Sequence, residues 1–281
     1  MAEAVDPPFD RADAGFNSLK GWTWVGCYGG YYLQADLLAA FEHGFFTRLW
    51  PGRGPQQLAG YVSAGISVHR LTQVHGAELL AASACSAEPW PKADGLISDA
   101  GGQSLWVCGA DCTPVLLADR RSGQVAACHG GWRGVAGRLL PKAIARLEAA
   151  GSRREDLLVA LGPAISGARY LVERSVTAQI AQSLVNRQAH PAGTRATQES
   201  TDLPVLLQEL IHCGGLLPDE QPGHDRLDIR AVSFRQLELY GLDREQISAC
   251  PLCTASEELL FHSWRRDRVR AVQWSGIVSQ A

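Results

Sequence analysis

Residues 105–134 read LWVCGADCTPVLLADRRSGQVAACHGGWRG and contain three apolar runs followed by a glycine-rich turn. Short apolar runs bounded by turn residues are typical of buried strands. We therefore predict strands over residues 105–110, 114–119 and 125–129. Downstream of the turn, apolar side chains recur at helical spacing and predict a helix over residues 135–149. The stretch thus predicts strands followed by a covering helix.

The same patterns continue on both sides of this stretch. Further strands are predicted over residues 22–27, 44–48, 68–75, 159–161, 247–249 and 271–274. Further helices are predicted over residues 35–41, 173–184, 204–211 and 229–240, the last ended by Gly241. Polar stretches with Gly and Pro predict loops over 188–201 and 218–225, the first of them a mobile flap. Strands mixed with helices, without strict alternation, favour an α+β layered sandwich over a doubly wound parallel sheet.

Composition places the chain among ordinary globular proteins. Of its 281 residues, 46% are hydrophobic and 20% are charged, and the formal net charge is -3. We expect one domain over residues 17–281, preceded by a disordered or loosely attached tail over 1–16. The charge provides no basic field for nucleic acid, and no stretch approaches the ~18 apolar residues of a membrane span. Because no export signal is recognisable, we expect a cytoplasmic protein with reduced cysteines that binds neither nucleic acid nor membrane.

Three short segments place reactive side chains at the ends of predicted strands. They are Gln73-Val74-His75-Gly76, Ala110-Asp111-Cys112-Thr113-Pro114 and His129-Gly130-Gly131-Trp132-Arg133-Gly134. Side chains at strand ends are fixed by the scaffold yet open to solvent, which is where sites are usually built. A single histidine that ends a strand is more often an ordinary polar residue than a ligand. The prediction of a site therefore depends on the joint occurrence of the three segments.

Two imidazoles and one thiolate, from His75, Cys112 and His129, suit a borderline-soft divalent metal. Three protein ligands leave the fourth tetrahedral position open, which distinguishes a catalytic zinc from a structural one. We therefore predict a catalytic zinc, with copper as an alternative in vitro because affinity generally rises toward copper. Asp111 either orients a ligand or caps a turn, and the sequence does not separate these two roles.

The third segment also predicts a phosphate site. Gly130, Gly131 and Gly134 permit close approach to the backbone where a helix begins, and the first turn of a helix favours an anion. Arg133 adds a guanidinium that can hold phosphate in a bidentate way. Arg48 is a second candidate anion contact, although a surface salt bridge explains it equally well.

In this order, the three segments resemble the QVHG, ADC-x-P and H-x-GWRG motifs of a known family. It is the family long labelled multicopper polyphenol oxidoreductase or laccase-like, and now described as purine nucleoside phosphorylase. Downstream matches are LGPAI at 161–165, LDIR at 227–230, CT at 253–254 and SWRRD at 263–267. The resemblance extends from about Phe45 to the C-terminus.

This resemblance implies a single-domain four-layer α-β-β-α sandwich with mixed sheets, and a zinc held by the catalytic residues His75, Cys112 and His129. It implies phosphorolysis of adenosine, inosine and methylthioadenosine, with phosphate as the second substrate and adenosine deamination as a side activity. We expect substrate contacts at Arg48, Gln73, Asp111 and Arg133. The chain lacks the family's S-L-N-x-G stretch and its G-R-M ending, and Trp264 stands where Tyr or His is common, so substrate preferences are not carried over.

Two other enzymes compete with this interpretation. A copper polyphenol oxidase would use two His, one Cys and usually an axial Met, but the only methionine is Met1 and no two histidines form an H-x-H pair. A metal-free cysteine hydrolase would use Cys112 as the nucleophile and His129 as its base. Because the same residues serve the metal and the nucleophile, the sequence does not separate these two chemistries.

A non-enzymatic interpretation makes Cys250 and Cys253 half of a structural zinc site. A second pair of ligands at suitable spacing is missing from the sequence. His212 and Cys213 would have to complete the site by folding against the C-x-x-C pair.

Overall fold

The computed structural model describes residues 19–27, 30–64, 66–185 and 202–280. The predicted tail over 1–16 and the predicted flap over 188–201 lie outside the described residues. The strands, in chain order, are β1 (Trp22–Cys27), β2 (Gly30–Ala35), β3 (His43–Phe46), β4 (Ser67–His69), β5 (Leu79–Ala81), β6 (Gly95–Ile97), β7 (Gln103–Gly109), β8 (Thr113–Asp119), β9 (Val125–Gly130), β10 (Leu157–Leu161), β11 (Leu171–Glu173), β12 (Leu216–Leu217), β13 (His224–Leu227), β14 (Ile247–Ala249) and β15 (Gln273–Val278). The helices are α1 (Pro55–Val62), α2 (Trp132–Ala136), α3 (Leu139–Ala149), α4 (Arg174–Gln182), α5 (Leu203–His212), α6 (Ile229–Leu239) and α7 (Trp264–Asp267).

Two six-stranded sheets form the centre of the molecule. The first has the order β1-β2-β3-β15-β7-β4 and the second has the order β14-β10-β8-β9-β6-β5. Both sheets are mixed, since β4 is parallel to β7 in the first, while β14 is parallel to β10 and β5 to β6 in the second. A smaller sheet with the order β11-β13-β12 lies apart from them.

Alternating side chains on the central strands define the layers. Leu105 and Val107 of β7 belong to the same buried cluster as Leu116 of β8, which places this cluster between the two sheets. Trp106 points the other way and packs with Leu58 of α1 on the outside of the first sheet. On a strand, successive side chains point to opposite faces of the sheet. The side chains that do not face the core between the sheets therefore form a further buried layer on the outer face of each sheet.

The outer face of the second sheet is covered by α3 and α6. Leu117 of β8 packs there with Ile144 of α3 and Leu237 of α6, in a cluster of fully buried apolar side chains. Together with α1 on the first sheet, this gives the helix–sheet–sheet–helix order. The predicted α+β four-layer sandwich with mixed sheets is confirmed.

The predicted helix over 35–41 is wrong. Gly30–Ala35 form β2, and only a short 3-10 turn over Asp36–Leu38 follows. The buried imidazole of His43 explains the difference, because its Nε2 accepts a hydrogen bond from the Ala35 N–H at 2.9 Å. Its Nδ1 donates to the Phe41 carbonyl at 2.8 Å, so the side chain closes the reversal that pairs β2 with β3.

Two other predicted elements differ in extent. The predicted helix over 135–149 is divided into α2 and α3, because Arg138 between them has a left-handed φ of 60°. The predicted strand over 68–75 ends at His69, and the rest of it forms a loop. This loop carries one of the predicted metal ligands, and its hydrogen bonds are described below. In the described part of the chain, no helix is long and apolar enough to cross a membrane.

Gly276, in the middle of β15, lies directly against a buried indole. A Cβ at this position would be 2.6 to 2.7 Å from three atoms of Trp106, which is 1% exposed and has no room to move. We expect Gly276→Ala to lower the free energy of unfolding by about 1–3 kcal/mol, the usual cost of overpacking. Urea denaturation monitored by circular dichroism measures this change.

Gly60→Ala is the matched control, because Gly60 lies within α1 and a Cβ there would meet no atom within 4 Å. This variant should gain about 0.5–1 kcal/mol, since Ala is favoured over Gly inside a helix. Equal stability of Gly276→Ala and the unchanged protein would contradict the close packing of β15 on Trp106.

Candidate metal centre

The three predicted ligands converge on one point. The ligand atoms of His75, Cys112 and His129 all lie within 4.8 Å of one another, and the two imidazole rings are nearly perpendicular at a centroid distance of 4.8 Å. His75 is exposed, Cys112 is half-buried and His129 is buried. Within the described ranges, this is the one group of three or more His, Cys, Asp or Glu side chains arranged to hold a metal.

Each ligand comes from a different part of the sandwich. His129 lies near the end of β9, and Cys112 lies in the turn that leads from β7 to β8. His75 lies in the loop that follows β4. Because β7 belongs to the first sheet and β8 to the second, the centre lies where the chain passes from one sheet to the other.

Asp94, which the sequence analysis did not identify, holds two of the ligands in place. Its carboxylate is fully buried, and its Oδ1 accepts hydrogen bonds from His129 Nδ1 and from the His75 backbone N–H, both at 2.9 Å. Its Oδ2 accepts from the backbone N–H groups of Val74 at 3.2 Å and Gly76 at 2.6 Å. A single side chain therefore orients one imidazole and fixes the loop that carries the other.

The bond to Asp94 also determines which nitrogen of His129 is free. Because Nδ1 carries the proton that it donates to the carboxylate, the lone pair of Nε2 is left for a metal. The only sequence cue to Asp94 is a charged residue at the start of the otherwise apolar stretch ADGLI over 93–97. Buried charges require partners, and here the partners are a metal ligand and a ligand loop.

The electrostatics of the centre favour a thiolate. Burial opposes ionisation of the Cys112 thiol, but hydrogen bonds from His129 and His75 outweigh it and lower its pKa to about 6. Burial likewise opposes protonation of His129, but its bonds to Asp94 and Cys112 raise its pKa to about 9. Both shifts favour transfer of the Cys112 thiol proton to His129, and a cation that binds to these residues would displace that proton.

Two ligand-bearing turns have left-handed backbone at residues other than glycine. His75 has a φ of 60° and Asp111, which precedes the Cys112 ligand, has a φ of 103°. Such conformations are costly and persist where surrounding contacts hold them, often at functional sites. For His75, the contacts that hold the backbone are the hydrogen bonds to Asp94 described above.

The carboxylate of Asp111 is engaged by the C-terminal segment. Its Oδ1 accepts a hydrogen bond from Thr254 Oγ1 at 2.8 Å, and its Oδ2 accepts from the backbone N–H of Arg265 at 2.6 Å. Arg265 is the second residue of α7, so Asp111 satisfies a free N–H group at the start of that helix. These bonds fit the capping role among the two roles considered for Asp111, and its predicted contact with substrate stays a prediction.

A cleft of about 660 Å³ opens onto all three ligands. Its walls include Gln73 and three exposed apolar side chains, Trp264, Val269 and Val272. Gly131 adjoins the same ligands, and a Cβ there would be 3.2 Å from Cys112 Sγ and 3.3 Å from His75 Cδ2. The volume is within the range of small-molecule sites.

The other predicted contact residues are placed differently. Gln73 lines the cleft, but its side-chain amide bonds to both backbone groups of Cys108, at 2.7 and 2.8 Å, and so pins the His75 loop to β7. Arg48 lines a neighbouring cleft and donates to the Glu258 carbonyl at 2.8 Å. Arg133 is exposed on α2, with its guanidinium 4.4 Å from the ring centroid of Trp132. The predicted ligands thus share one cleft, whereas Arg48 belongs to another.

The C-x-x-C pair does not form a metal site in the described part of the chain. Cys250 is 1% exposed, and burial raises its pKa to about 12. The Cys253 sulfur accepts hydrogen bonds from the backbone N–H and the hydroxyl of Ser166, at 3.3 and 3.2 Å. The residues that would have completed a structural zinc site, His212 and Cys213, belong to no metal-ligating group among the described residues.

Comparison with known proteins identifies the family of this chain. The family model described as multi-copper polyphenol oxidoreductase laccase matches residues 56–279. A protein of Synechocystis sp. named purine nucleoside phosphorylase is 41% identical over 264 residues, which cover 92% of this chain and 97% of that protein. A Streptomyces coelicolor protein with the same name is 31% identical over 204 residues, covering 70% of this chain and 69% of that protein.

Solved structures share the fold. YlmD from Geobacillus stearothermophilus superposes with a TM-score of 0.71 at 24% identity, covering 92% of this chain and 99% of that chain. The hypothetical protein YfiH of Bacillus licheniformis gives a TM-score of 0.70 at 23% identity, covering 89% and 96%. The matched span contains the three ligands and Asp94, and this chain belongs to the multi-copper polyphenol oxidoreductase laccase family.

Proposed function

We propose that this chain is a zinc-dependent purine nucleoside phosphorylase that acts on adenosine, inosine and methylthioadenosine with phosphate. Deamination of adenosine is proposed as its side activity. The observation that carries the proposal is the convergence of His75, Cys112 and His129 at a cleft large enough for a nucleoside. The names of the relatives in Synechocystis sp. and Streptomyces coelicolor support the same reaction.

The donor set fits zinc. Two imidazole nitrogens and one thiolate are suitable ligands for this ion, and three of them leave one position open toward the cleft. When bound, zinc would supply a Lewis acid and lower the pKa of a bound water to ~7. The axial Met that blue-copper sites usually have is lacking in the sequence outside Met1, which lies beyond the described residues.

In the proposed reaction, a phosphate oxygen forms a bond to the anomeric carbon of the ribose as the bond from that carbon to the purine nitrogen breaks. The proton that hydrogen phosphate loses in this step passes to the departing purine, and the products are the free base and ribose 1-phosphate. Holding two substrates in one geometry can lower the barrier by ~7–11 kcal/mol. We assign the apolar wall formed by Trp264, Val269 and Val272 to the flat face of the purine.

A second candidate function is a metal-free cysteine hydrolase. The lowered pKa of Cys112 and the adjacent His129 favour it, because a thiolate formed by proton transfer to an imidazole is a competent nucleophile. The second imidazole, from His75, and the description of the family as multi-copper favour a metal instead, and the names of the relatives favour phosphorolysis over hydrolysis. The two functions differ in their response to chelators, since a cysteine nucleophile needs no metal.

The three candidate ligands should each be needed for zinc binding and for phosphorolysis. Zinc-loaded protein should hold one zinc per chain and release hypoxanthine from inosine only when phosphate is present. Removal of any one ligand should release zinc and lower this activity more than about 100-fold, as tested by His75→Ala, Cys112→Ser and His129→Ala. Loss of a residue that only hydrogen-bonds to a ligand already costs about 10–100-fold in metal affinity or activity. Elemental analysis and chromatography of the products measure both effects.

His212→Ala is the matched control, since His212 is an exposed histidine at the end of α5. It should retain both zinc and activity. Chelation should abolish phosphorolysis and added zinc should restore it. Activity that survives complete removal of metal would contradict the zinc enzyme and favour the cysteine hydrolase.

A separate prediction concerns adenosine. Without phosphate, the zinc-loaded protein should convert adenosine slowly to inosine, and with phosphate it should also release adenine. In the first reaction a water oxygen would bond to C6 of the purine as ammonia leaves, and bound zinc would supply the activation of that water. In the second, phosphate displaces adenine from the ribose. Chromatography of the reaction with and without phosphate separates the two activities, and a lack of inosine in both would remove deamination from the proposal.

Asp94→Asn tests the support of the centre. The substitution removes the negative charge and one of the acceptors that hold His129 and the His75 loop. We expect the zinc affinity to fall about 10–100-fold, the usual effect of losing such a partner. Competition with a chromophoric chelator measures the affinity.

Asp99→Asn is the control for this substitution. Asp99 also accepts hydrogen bonds, from Ser83 and Gln103, but it lies outside the metal-ligating group. The zinc affinity of the Asp99→Asn variant should equal that of the unchanged protein. If Asp94→Asn binds zinc equally well, the carboxylate does not prepare the ligands.

A further inference from the structure

Arg70 occupies an unusual position in the cleft that holds the metal ligands. It follows β4 and lines the same cleft as His75. Its guanidinium contacts two indole rings, 5.2 Å from the ring centroid of Trp90 and 4.9 Å from that of Trp274. A cation over an aromatic face is attracted by the ring quadrupole, so both rings hold the guanidinium.

Both indoles are themselves fixed by other contacts. The Trp90 ring nitrogen donates to Glu88 Oε1 at 2.9 Å, and its carbonyl accepts from Thr72 Oγ1 at 3.0 Å. Trp274 is held on β15, where it pairs with Cys108 of β7. The clamp around Arg70 is therefore built by the fold, and a ligand that contacts Arg70 would not have to order it.

The charge of Arg70 is not compensated within the described ranges. None of the ion pairs formed by the described residues includes it, and its Nε is buried without a hydrogen-bond partner. Among the described residues that line the cleft, Arg70 and Arg270 carry fixed charges, and Asp and Glu are lacking. A cleft lined by one sign of charge concentrates ligands of the opposite sign.

We propose that Arg70 binds the inorganic phosphate that takes part in the reaction. This inference deepens the proposed function and depends on it for the identity of the second substrate. A planar guanidinium can donate two parallel hydrogen bonds to two phosphate oxygens, and the contacts with the indoles hold this group in place. Arg70 and Arg270 both share the cleft with the metal ligands, but Arg270 is exposed, whereas Arg70 is half-buried and contacts two indoles. Arg48 lines the neighbouring cleft and Arg133 is exposed on α2.

The test is the Michaelis constant for phosphate in the zinc-loaded enzyme. Arg70→Gln should raise KM for phosphate about tenfold or more, the usual effect of losing a charge-assisted hydrogen bond. KM for inosine and the zinc content should change less than about twofold. Arg70→Lys keeps the positive charge but lacks the planar guanidinium, so its KM for phosphate should lie between those of the unchanged protein and Arg70→Gln. This variant also tests the proposal if the glutamine variant folds poorly.

Arg53→Gln is the matched control. Arg53 stacks on two aromatic rings in the same way, 5.1 Å from the ring centroid of Trp50 and 5.5 Å from that of Tyr61, but it lines the neighbouring cleft. Its KM for phosphate should be unchanged. An unchanged KM for phosphate in both Arg70 variants, or a rise in Arg133→Gln instead, would overturn the proposal.

Two further measurements separate the outcomes. Inhibition by inosine 5′-monophosphate tests whether Arg70 binds inorganic phosphate or a phosphate ester. If Arg70→Gln weakens this inhibition while KM for phosphate stays the same, Arg70 binds the ester and the proposal is wrong. If the unchanged enzyme releases no hypoxanthine at all, the proposed function fails. Calorimetric titration with inorganic phosphate then decides on Arg70 separately, because binding lost in Arg70→Gln supports the anion site and equal or absent binding overturns it.

Discussion

The candidate metal centre depends on the hydrogen bonds that the Asp94 carboxylate accepts. A buried charge is tolerated only when it is paired and hydrogen-bonded, and Asp94 meets this requirement with His129 and three consecutive backbone N–H groups. These partners are a ligand at the end of β9 and the loop that carries His75. The need to satisfy one buried charge therefore brings two distant parts of the chain to a common point.

The layered fold provides the place for this interaction. β7 and β8 are consecutive in sequence but lie in different sheets, so the turn between them, with Cys112, crosses from one sheet to the other at the ends of these strands. The alternation of side chains on these strands packs both sheets around one core, and the cleft opens beside the turn. Cys112 and His129 are thus held at strand ends and His75 by its bonds to Asp94, and all three line one cleft.

The sequence predicted the features that are local or belong to recognisable motifs. The strands around Cys112 and His129 follow from apolar runs, and the three ligands follow from short segments with reactive side chains. Asp94 and Arg70 could not be predicted, because the partners that give them their roles are distant in sequence, such as Trp274 for Arg70. The helix expected over 35–41 failed for the same reason, since the bonds made by His43 depend on tertiary structure.

The contact between Asp111 and the C-terminal segment has a consequence for how such enzymes diversify. The carboxylate accepts a hydrogen bond from the main-chain N–H of Arg265, and so it does not depend on which side chains stand at that position or at the neighbouring Trp264. The wall of the cleft can therefore exchange one aromatic residue for another while its backbone keeps the same register with the Cys112 turn. A replacement of the side chain at 264 would therefore change the surface of the cleft while the backbone around the candidate metal ligands stays in place.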